Sequence, residues 1–129
     1  MTLLFIAAGG AFGAVSRYGV STWVQSAMGG AFPWGTMTVN LVGSLLLGFG
    51  LVWMHASVTS EEVRQLVTVG FLGSFTTFST FSHETVALWR DGDIWRAGGY
   101  TAASVALGLL AVIAGAAVAR ALTAPGAAG

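Results

Sequence analysis

The feature that most constrains this chain is the spacing of its few charged side chains. The longest stretch without a charge covers residues 18–60, and three further stretches are free of charge: residues 1–16, 65–83 and 97–119. A helix needs about 20 apolar residues to cross a hydrocarbon core of roughly 30 Å, so the longest stretch holds the end of one span and all of another. Only 8% of the residues are charged, against about 25% in a soluble domain. The pattern predicts an all-α membrane protein that crosses the bilayer several times.

The charge-free stretches and the turns between them predict four helices in one domain, residues 1–122. The predicted helices cover residues 3–27, 35–55, 63–89 and 94–121, and residues 123–129 are predicted to form a flexible tail. Gly29, Gly30 and Pro33 supply the first turn, because glycine and proline interrupt helical segments. All five tryptophans fall near predicted helix ends, where indole rings prefer to lie in a bilayer. A soluble four-helix bundle would need charged outer faces, which these helices lack.

The composition also excludes several classes of function. The five basic residues are scattered along the chain, so no basic patch for nucleic acid can be assembled, and membrane lipid is the expected environment. The chain has no cysteine, which excludes a disulfide framework and a thiolate zinc site. No pair of acids or histidines, and no nucleophile with a base, has a spacing that suggests an enzyme. Binding or transport is therefore expected, and not catalysis.

The arginines are balanced between the two sides of the predicted bundle. With four spans, Arg64 and Arg120 lie on one side of the membrane, and Arg90 and Arg96 lie on the other. Arg17 lies deeper in the first helix and changes the count only weakly. An excess of basic residues in cytoplasmic loops normally sets the orientation of a membrane protein, and here there is no such excess. We hypothesise that the chain inserts in both orientations and assembles as an antiparallel pair.

Two predicted helices carry polar side chains at helical spacing. On the second helix these are Thr36, Asn40 and Ser44, and on the fourth they are Tyr100 and Ser104. Residues four apart share one face of a helix, and all of these side chains donate hydrogen bonds without carrying a negative charge. A lining of neutral donors suits an anion better than a cation. The alternative is that the same groups only join neighbouring helices, and the spacing does not decide between the two.

The third predicted helix departs furthest from an ordinary span. Residues 70–82 place two glycines and six hydroxyl side chains at mid-membrane, and these residue types are poor helix formers. A break is therefore predicted there, and the backbone groups that it frees would line a cavity or bind an ion such as sodium. The alternative is a continuous helix whose hydroxyls bond back to the preceding turn. Phe78 and Phe81 share a face, and their positive ring edges suit a small anion unless both rings only pack.

These residues resemble the Fluc (CrcB) family of bacterial fluoride channels over nearly the whole chain. The similar segments are residues 9–14 with Arg17 and Tyr18, residues 35–44, and residues 70–82 with Glu84. The string TTFSTFS at residues 76–82 is the most specific of them. The resemblance implies a dual-topology, antiparallel homodimer in a bacterial inner membrane, with two separate pores. Fluoride would leave the cell passively through them, which would lower its cytoplasmic concentration and toxicity.

The resemblance also implies roles for particular residues. Fluoride would contact the ring edges of Phe78 and Phe81. The further pore residues would be Asn40, Ser79, Thr80, Tyr100 and Ser104. A structural sodium ion (Na+) at the centre of the dimer would be held by the backbone carbonyls of Gly73 and Thr76 from each subunit. Arg17 and Glu84 would either serve an anion vestibule or form a structural pair, with the pair as the safer assignment.

Two other functions are compatible with four short membrane helices. A small proton-coupled multidrug exporter needs a membrane-buried acid. The first two helices contain no acid, and Glu84 lies near a predicted helix end. A non-transporting assembly subunit would use the polar stripes only to hold helices together. Flux of fluoride without chloride from liposomes would separate the channel from both alternatives.

Overall fold

In the computed structural model, the chain consists of helices joined by short turns. The structure describes residues 1–124, so residues 125–129 of the predicted tail lie outside the described part. The helices are α1 (Thr2–Met28), α2 (Trp34–Ala56), α3 (Glu61–Gln65), a π-helix (Leu66–Leu72), α4 (Gly73–Phe75), α5 (Phe78–Arg90) and α6 (Ile94–Thr123). Residues 1–124 contain no β-strand. The prediction of an all-α protein is confirmed.

Three of these helices are long and apolar enough to cross a membrane, namely α1, α2 and α6. They begin and end within two residues of the predicted helices 3–27, 35–55 and 94–121. Helix α6 runs through Thr123, whose hydroxyl donates to the Ala119 carbonyl over 2.9 Å, so the first residue of the predicted tail is helical. The predicted helix 63–89 corresponds to the shorter elements from α3 to α5. None of these elements is long enough to span a bilayer alone.

The elements between α3 and α5 begin and end for local reasons. Ser60 accepts a hydrogen bond from the Val63 amide over 3.4 Å and so caps α3. Helix α4 ends at Phe75, because the next two residues have extended backbone. Their ψ angles are 158° at Thr76 and 117° at Thr77. This short non-helical segment, residues 76–77, is called the interruption below.

Glycines bring α2 and α6 into backbone contact. A Cβ atom at Gly48 of α2 would collide with the Val112 carbonyl of α6, and one at Gly115 of α6 would collide with the Leu45 carbonyl of α2. In lipid there is little hydrophobic gain from bringing helices together, so close approach through small residues supplies the van der Waals contact instead. These two glycines therefore hold α2 and α6 side by side within one chain.

Glycines also bring α1 into backbone contact with the π-helix. A Cβ atom at Gly9 would collide with the Leu66 carbonyl, and one at Gly13 would collide with the Phe71 carbonyl. Both glycines are buried. The π-helix is therefore fixed by the backbone of α1 at its two ends, and this contact sets the position of α4 and of the interruption that follows.

Few large side chains are buried within the single chain. The main buried cluster consists of Met37, Phe81, Leu88, Ala97 and Tyr100. Large apolar side chains instead cover the outside, and Trp95 is 93% exposed. A soluble monomer rarely exposes an apolar surface of this extent, whereas a lipid-facing surface does. Together with the three apolar helices, this surface identifies a multi-pass membrane protein.

Candidate ion pathway

The candidate site is built around the interruption. The Asn40 side chain on α2 pairs with the backbone of Thr77 in both directions: Nδ2 donates to the Thr77 carbonyl over 3.0 Å, and the Thr77 amide donates to Oδ1 over 2.7 Å. The Asn40 amide thus replaces the backbone hydrogen-bond partners that Thr77 would have in a continuous helix. Asn40 fastens α2 to the interruption, and the second N–H of its amide group makes no hydrogen bond within residues 1–124.

Three hydroxyl side chains meet at the start of α5. The Thr77 hydroxyl accepts from the Thr80 amide over 3.2 Å, donates to the Thr80 hydroxyl over 3.0 Å, and lies 3.4 Å from the Ser79 hydroxyl. The N-terminus of a helix carries a partial positive charge, so this end of α5 favours an anion. The predicted residues Ser79 and Thr80 are therefore brought together with Thr77, which caps α5.

Phe78 and Phe81 lie one turn apart at the same end of α5. Their ring centroids are 5.7 Å apart and the ring planes are inclined by 44°. Phe81 is buried, and its ring centroid lies 5.1 Å from that of Tyr100 on α6. Phe78 is 79% exposed. The two predicted rings are neighbours, but one belongs to the interior of the chain and the other projects from its surface.

Glu84 of α5 accepts hydrogen bonds from two other helices. The Thr36 hydroxyl of α2 donates to Oε1 and the Tyr100 hydroxyl of α6 donates to Oε2, both over 2.8 Å. Hydrogen bonds to a carboxylate are about twice as strong as neutral ones, so Glu84 ties three helices together. The salt bridges within residues 1–124 do not include one from Arg17 to Glu84. The structural pair expected between these two residues is not formed within the single chain.

The remaining predicted residues, Ser104 and Arg17, lie in different surroundings. The Ser104 hydroxyl, one turn beyond Tyr100 on α6, is buried without a hydrogen-bond partner among residues 1–124. Leaving a buried hydroxyl unpaired costs about 1–3 kcal/mol, so this group is available to donate a hydrogen bond to an anion. Arg17 of α1 borders a cavity of about 210 Å³ that also touches Thr77 and Thr80.

Cavities reach the interruption from both directions along the third predicted span. One cavity, about 500 Å³, extends from the turn between α1 and α2 to the start of α5, and its polar lining includes Ser21, Gln25, Thr36, Thr80, Glu84 and Asp91. It shares Ser21, Thr36 and Thr80 with the cavity beside Arg17. A third cavity, about 270 Å³, is bordered by Asn40, Gly73, Thr76, Thr77 and Phe78. Polar side chains therefore lie along a nearly continuous series of cavities.

The interruption also changes which backbone carbonyls are satisfied. In a continuous helix the Gly73 carbonyl would accept from the Thr77 amide, which here donates to Asn40. The Thr76 amide and hydroxyl both donate to the Leu72 carbonyl, over 3.1 Å and 3.0 Å. The Gly73 carbonyl thus lacks its helical donor, and backbone carbonyls at a helix break are the ligands that membrane proteins present to sodium, so this oxygen fits the predicted ion. Residues 1–124 hold no cluster of three or more acidic, histidine or cysteine side chains that suits a metal.

Two residues that organise the site, Thr36 and Thr77, were not among the predicted pore residues. Both are buried threonines. Thr36 belongs to the polar stripe of the second helix, so its position on that face could be found from the sequence. Its partner Glu84 could not, because the two are 48 residues apart. The signal at Thr77 is a hydroxyl residue directly before a helix start, which is the preferred cap.

Comparison with known proteins gives a consistent result. Residues 4–116 match the family described as CrcB-like protein, Camphor Resistance (CrcB). A Rhizobium johnstonii protein named fluoride-specific ion channel FluC is 48% identical over 120 residues, which are 92% of this chain and 96% of that protein. A Hahella chejuensis protein of the same name is 47% identical, covering 92% of this chain and 94% of its own. A Dehalococcoides mccartyi protein of that name is 45% identical, covering 88% of both. The chain belongs to the CrcB-like protein family.

Proposed function

We propose that this chain is the subunit of a fluoride-specific ion channel that exports fluoride passively across the cell membrane. Its relatives are named as such channels, and they match this chain over nearly their whole length. The observation that carries the proposal is the Phe78–Phe81 pair at the hydroxyl-rich start of α5. Ring edges and hydroxyl groups offer weak positive partners to an anion. The activity is transport, and no enzymatic step is involved.

The mechanism follows from the strong hydration of a small anion. Fluoride must exchange its water shell for protein groups that bind it strongly enough for entry and weakly enough for release. The hydroxyls of Ser79, Thr80 and Ser104 and the second N–H of Asn40 are neutral donors of this kind. A full positive charge in the narrow part of the route would hold the ion too tightly. Net export is driven by the membrane potential and by the accumulation of fluoride inside from an acidic exterior.

We propose that residues 61–90 also cross the membrane, in addition to α1, α2 and α6, and that this span is broken at the interruption. The charged residues of this segment lie towards its ends, at Glu61, Glu62, Arg64, Glu84 and Arg90, and residues 65–83 carry none. The backbone groups of Thr77 are paired with Asn40, which removes the main cost of non-helical backbone inside a bilayer. A chain with four spans returns both ends to the same side, which gives the balance of arginines described above.

We propose that the channel is an antiparallel homodimer with two pores. Phe78 is largely exposed in the single chain although it lies beside the hydroxyl cluster, so a second subunit is needed to enclose the route. Gly73 is also exposed next to the interruption. The balanced arginines favour insertion in both orientations, which an antiparallel pair requires. The two copies would then contribute equivalent surfaces to each other around a twofold axis.

A structural sodium ion is part of this proposal. Its ligands would be the Gly73 and Thr76 carbonyls of each subunit, where the two interruptions meet. The support is the Gly73 carbonyl, whose usual helical donor is engaged by Asn40. When bound there, the ion would supply positive charge to offset the negative ends of these carbonyl dipoles. Anion passage itself depends on the side chains at the start of α5.

Efflux from proteoliposomes tests the function. Liposomes loaded with potassium fluoride or potassium chloride are treated with valinomycin, so that anion loss is not limited by charge build-up, and each anion is followed with a selective electrode. Rapid loss of fluoride with retention of chloride is expected. Silence for both anions would support a non-transporting assembly subunit, and proton-coupled loss of an organic cation would support an exporter. Either result would overturn the proposal.

A further inference from the structure

The Gln25 side chain makes three hydrogen bonds to the turn between α1 and α2. Nε2 donates to the Gly30 carbonyl over 3.2 Å and to the Phe32 carbonyl over 3.1 Å, and Oε1 accepts from the Gly35 amide over 3.2 Å. The first amides of a helix have no partner within it, and α2 has no side-chain cap of its own. Gln25 therefore closes residues 29–33 and caps α2 from the preceding helix.

The turn has little else to hold it at its tip. Gly29 and Gly30 have positive φ angles of 65° and 76°, and the space around both is open. Glycine at such positions retains more conformational freedom than any other residue. The two hydrogen bonds from Gln25 bracket this segment, because their acceptors lie at Gly30 and at Phe32. Phe32 is also held by Trp34, whose amide donates to the Phe32 carbonyl over 2.9 Å and whose ring centroid lies 4.3 Å from that of Phe32. Gln25 is thus the side chain that ties this turn to α1 through hydrogen bonds.

Phe32 connects the turn to the aromatic residues of the pathway. Its ring meets the Tyr100 ring edge-on, with centroids 5.4 Å apart and planes inclined by 78°. The Tyr100 ring in turn lies 5.1 Å from that of Phe81, which lies 5.7 Å from that of Phe78. Four successive rings therefore run from the turn to the hydroxyl cluster. Side chains in direct contact transmit a displacement to their neighbours, because packed interiors are only slightly compressible.

We propose that Gln25 is a positioning residue for the ion pathway. Its three hydrogen bonds seat Phe32 on Tyr100, and this contact sets the angle of the Tyr100 ring and, through it, of Phe81. The Tyr100 hydroxyl is already fixed by Glu84 over 2.8 Å, so the freedom left to this side chain is a swing of the ring. Phe32 limits that swing. The transport consequence rests on the proposed function, whereas the ring contact does not.

The ring contact is tested by fluorine NMR. The chain has two tyrosines, so labelling with 3-fluorotyrosine gives one resonance for Tyr18 and one for Tyr100, assigned with Tyr18→Phe. Gln25→Met preserves side-chain length and removes all three hydrogen bonds. The Tyr100 resonance is expected to shift and broaden in this variant, while that of Tyr18 stays in place. Gln65→Met is the matched control, because it removes one hydrogen bond to Glu61 at the other end of the bundle.

The transport consequence is tested with the same variants in proteoliposomes. A misplaced ring edge should raise the half-saturating fluoride concentration, on the order of tenfold, because small misplacements of binding groups are costly. Loss of folded protein would lower only the maximal efflux. Phe32→Leu, which removes the ring contact and leaves Gln25 intact, should give the same shift.

An unshifted Tyr100 resonance in a folded Gln25→Met variant would overturn the inference, even where Phe32→Leu shifts that resonance. So would an unchanged half-saturating concentration in both variants while the unmodified protein transports fluoride. If the unmodified protein transports no fluoride, the proposed function fails, and the Tyr100 resonance alone still decides whether Gln25 positions the ring. Because Phe32→Leu leaves all polar contacts of the turn in place, it provides a readout even if Gln25→Met does not fold.

Discussion

Asn40 and Glu84 differ in whether they keep a hydrogen-bonding group free for an ion. Asn40 uses its oxygen and one N–H on the backbone of Thr77, and its second N–H has no partner within residues 1–124. Both Glu84 oxygens are occupied by hydroxyl donors, so its negative charge is directed towards Thr36 and Tyr100. Single residues at this site therefore serve the fold and the pathway together, because the same amide or hydroxyl holds a helix in place and faces a cavity.

Phe78 and Phe81 are expected to have similar effects on transport and different effects on stability. Phe78→Ile and Phe81→Ile each replace a positive ring edge by a methyl surface. Fluoride efflux should therefore fall about tenfold, which corresponds to about 1.4 kcal/mol in the barrier to passage. Phe81 is buried, and the change of shape should also cost about 1–3 kcal/mol of stability. The measurements are electrode efflux and thermal unfolding in detergent.

Phe12→Ile is the control for both variants, since Phe12 is a 73% exposed ring on α1. It should leave efflux and unfolding temperature unchanged. Undiminished efflux in Phe78→Ile and in Phe81→Ile would remove the ring-edge mechanism. A loss of stability in Phe78→Ile equal to that in Phe81→Ile would contradict the difference in burial within one chain.

At the scale of elements, the long helices can be predicted from the sequence, whereas the third segment can be predicted only in part: residues 70–82 indicate the interruption but not the π-helix before it. α1, α2 and α6 are uniform apolar stretches bounded by turn residues, and each needs only local information to be predicted. The π-helix 66–72 depends on where the α1 backbone meets it, at Gly9 and Gly13, and no local pattern encodes that contact. The Thr36–Glu84 hydrogen bond is missed for the same reason, because its partners meet only when three helices have packed.

Gly48→Ala is expected to weaken the pairing of α2 with α6. The added methyl group would meet the Val112 carbonyl, so the helices must separate, and overpacking of this kind costs about 1–3 kcal/mol. Gly50→Ala on the same helix is the control, since its methyl group would meet only the flexible end of Met54. That variant should be neutral or more stable, by up to about 1 kcal/mol. Thermal unfolding in detergent compares the two, and equal midpoints would show that the close approach at Gly48 is not needed.

Sodium removal tests the role assigned to the interruption. If the Gly73 and Thr76 carbonyls of two subunits hold the ion, replacing sodium by N-methylglucamine at constant ionic strength should slow fluoride efflux and weaken the dimer. Both effects should reverse when sodium returns. The measurements are electrode efflux and the oligomeric state by size-exclusion chromatography with light scattering. Full activity and an intact dimer after prolonged dialysis against a sodium chelator would argue that these carbonyls are satisfied in another way.

At the scale of the whole molecule, the single chain leaves part of the proposed ion pathway uncovered. Its largest buried side chains are few, the Phe78 ring projects from the surface, and the cavities around the interruption are open on one side. Its outer surface is apolar enough to be covered by lipid or by a second copy. The feature that decides how a second copy can be arranged is the charge at the two ends of the bundle, because charge determines which way each copy is inserted.

Equal numbers of copies are expected in the two orientations. The chain has no cysteine, so single cysteines at Ser57 and at Asp91, in turns at opposite ends of the bundle, can be labelled from outside intact cells with an impermeant maleimide. About half of the copies should be labelled at each position, because the basic residues are balanced.

Val58→Lys and Met28→Lys add a charge at opposite ends, and both positions are exposed. Each variant alone should insert in one orientation and lose fluoride efflux, since no antiparallel partner remains. Co-expression of the two should restore efflux. Labelling of every copy at one position and none at the other, in the single-cysteine proteins without an added lysine, would exclude the antiparallel homodimer.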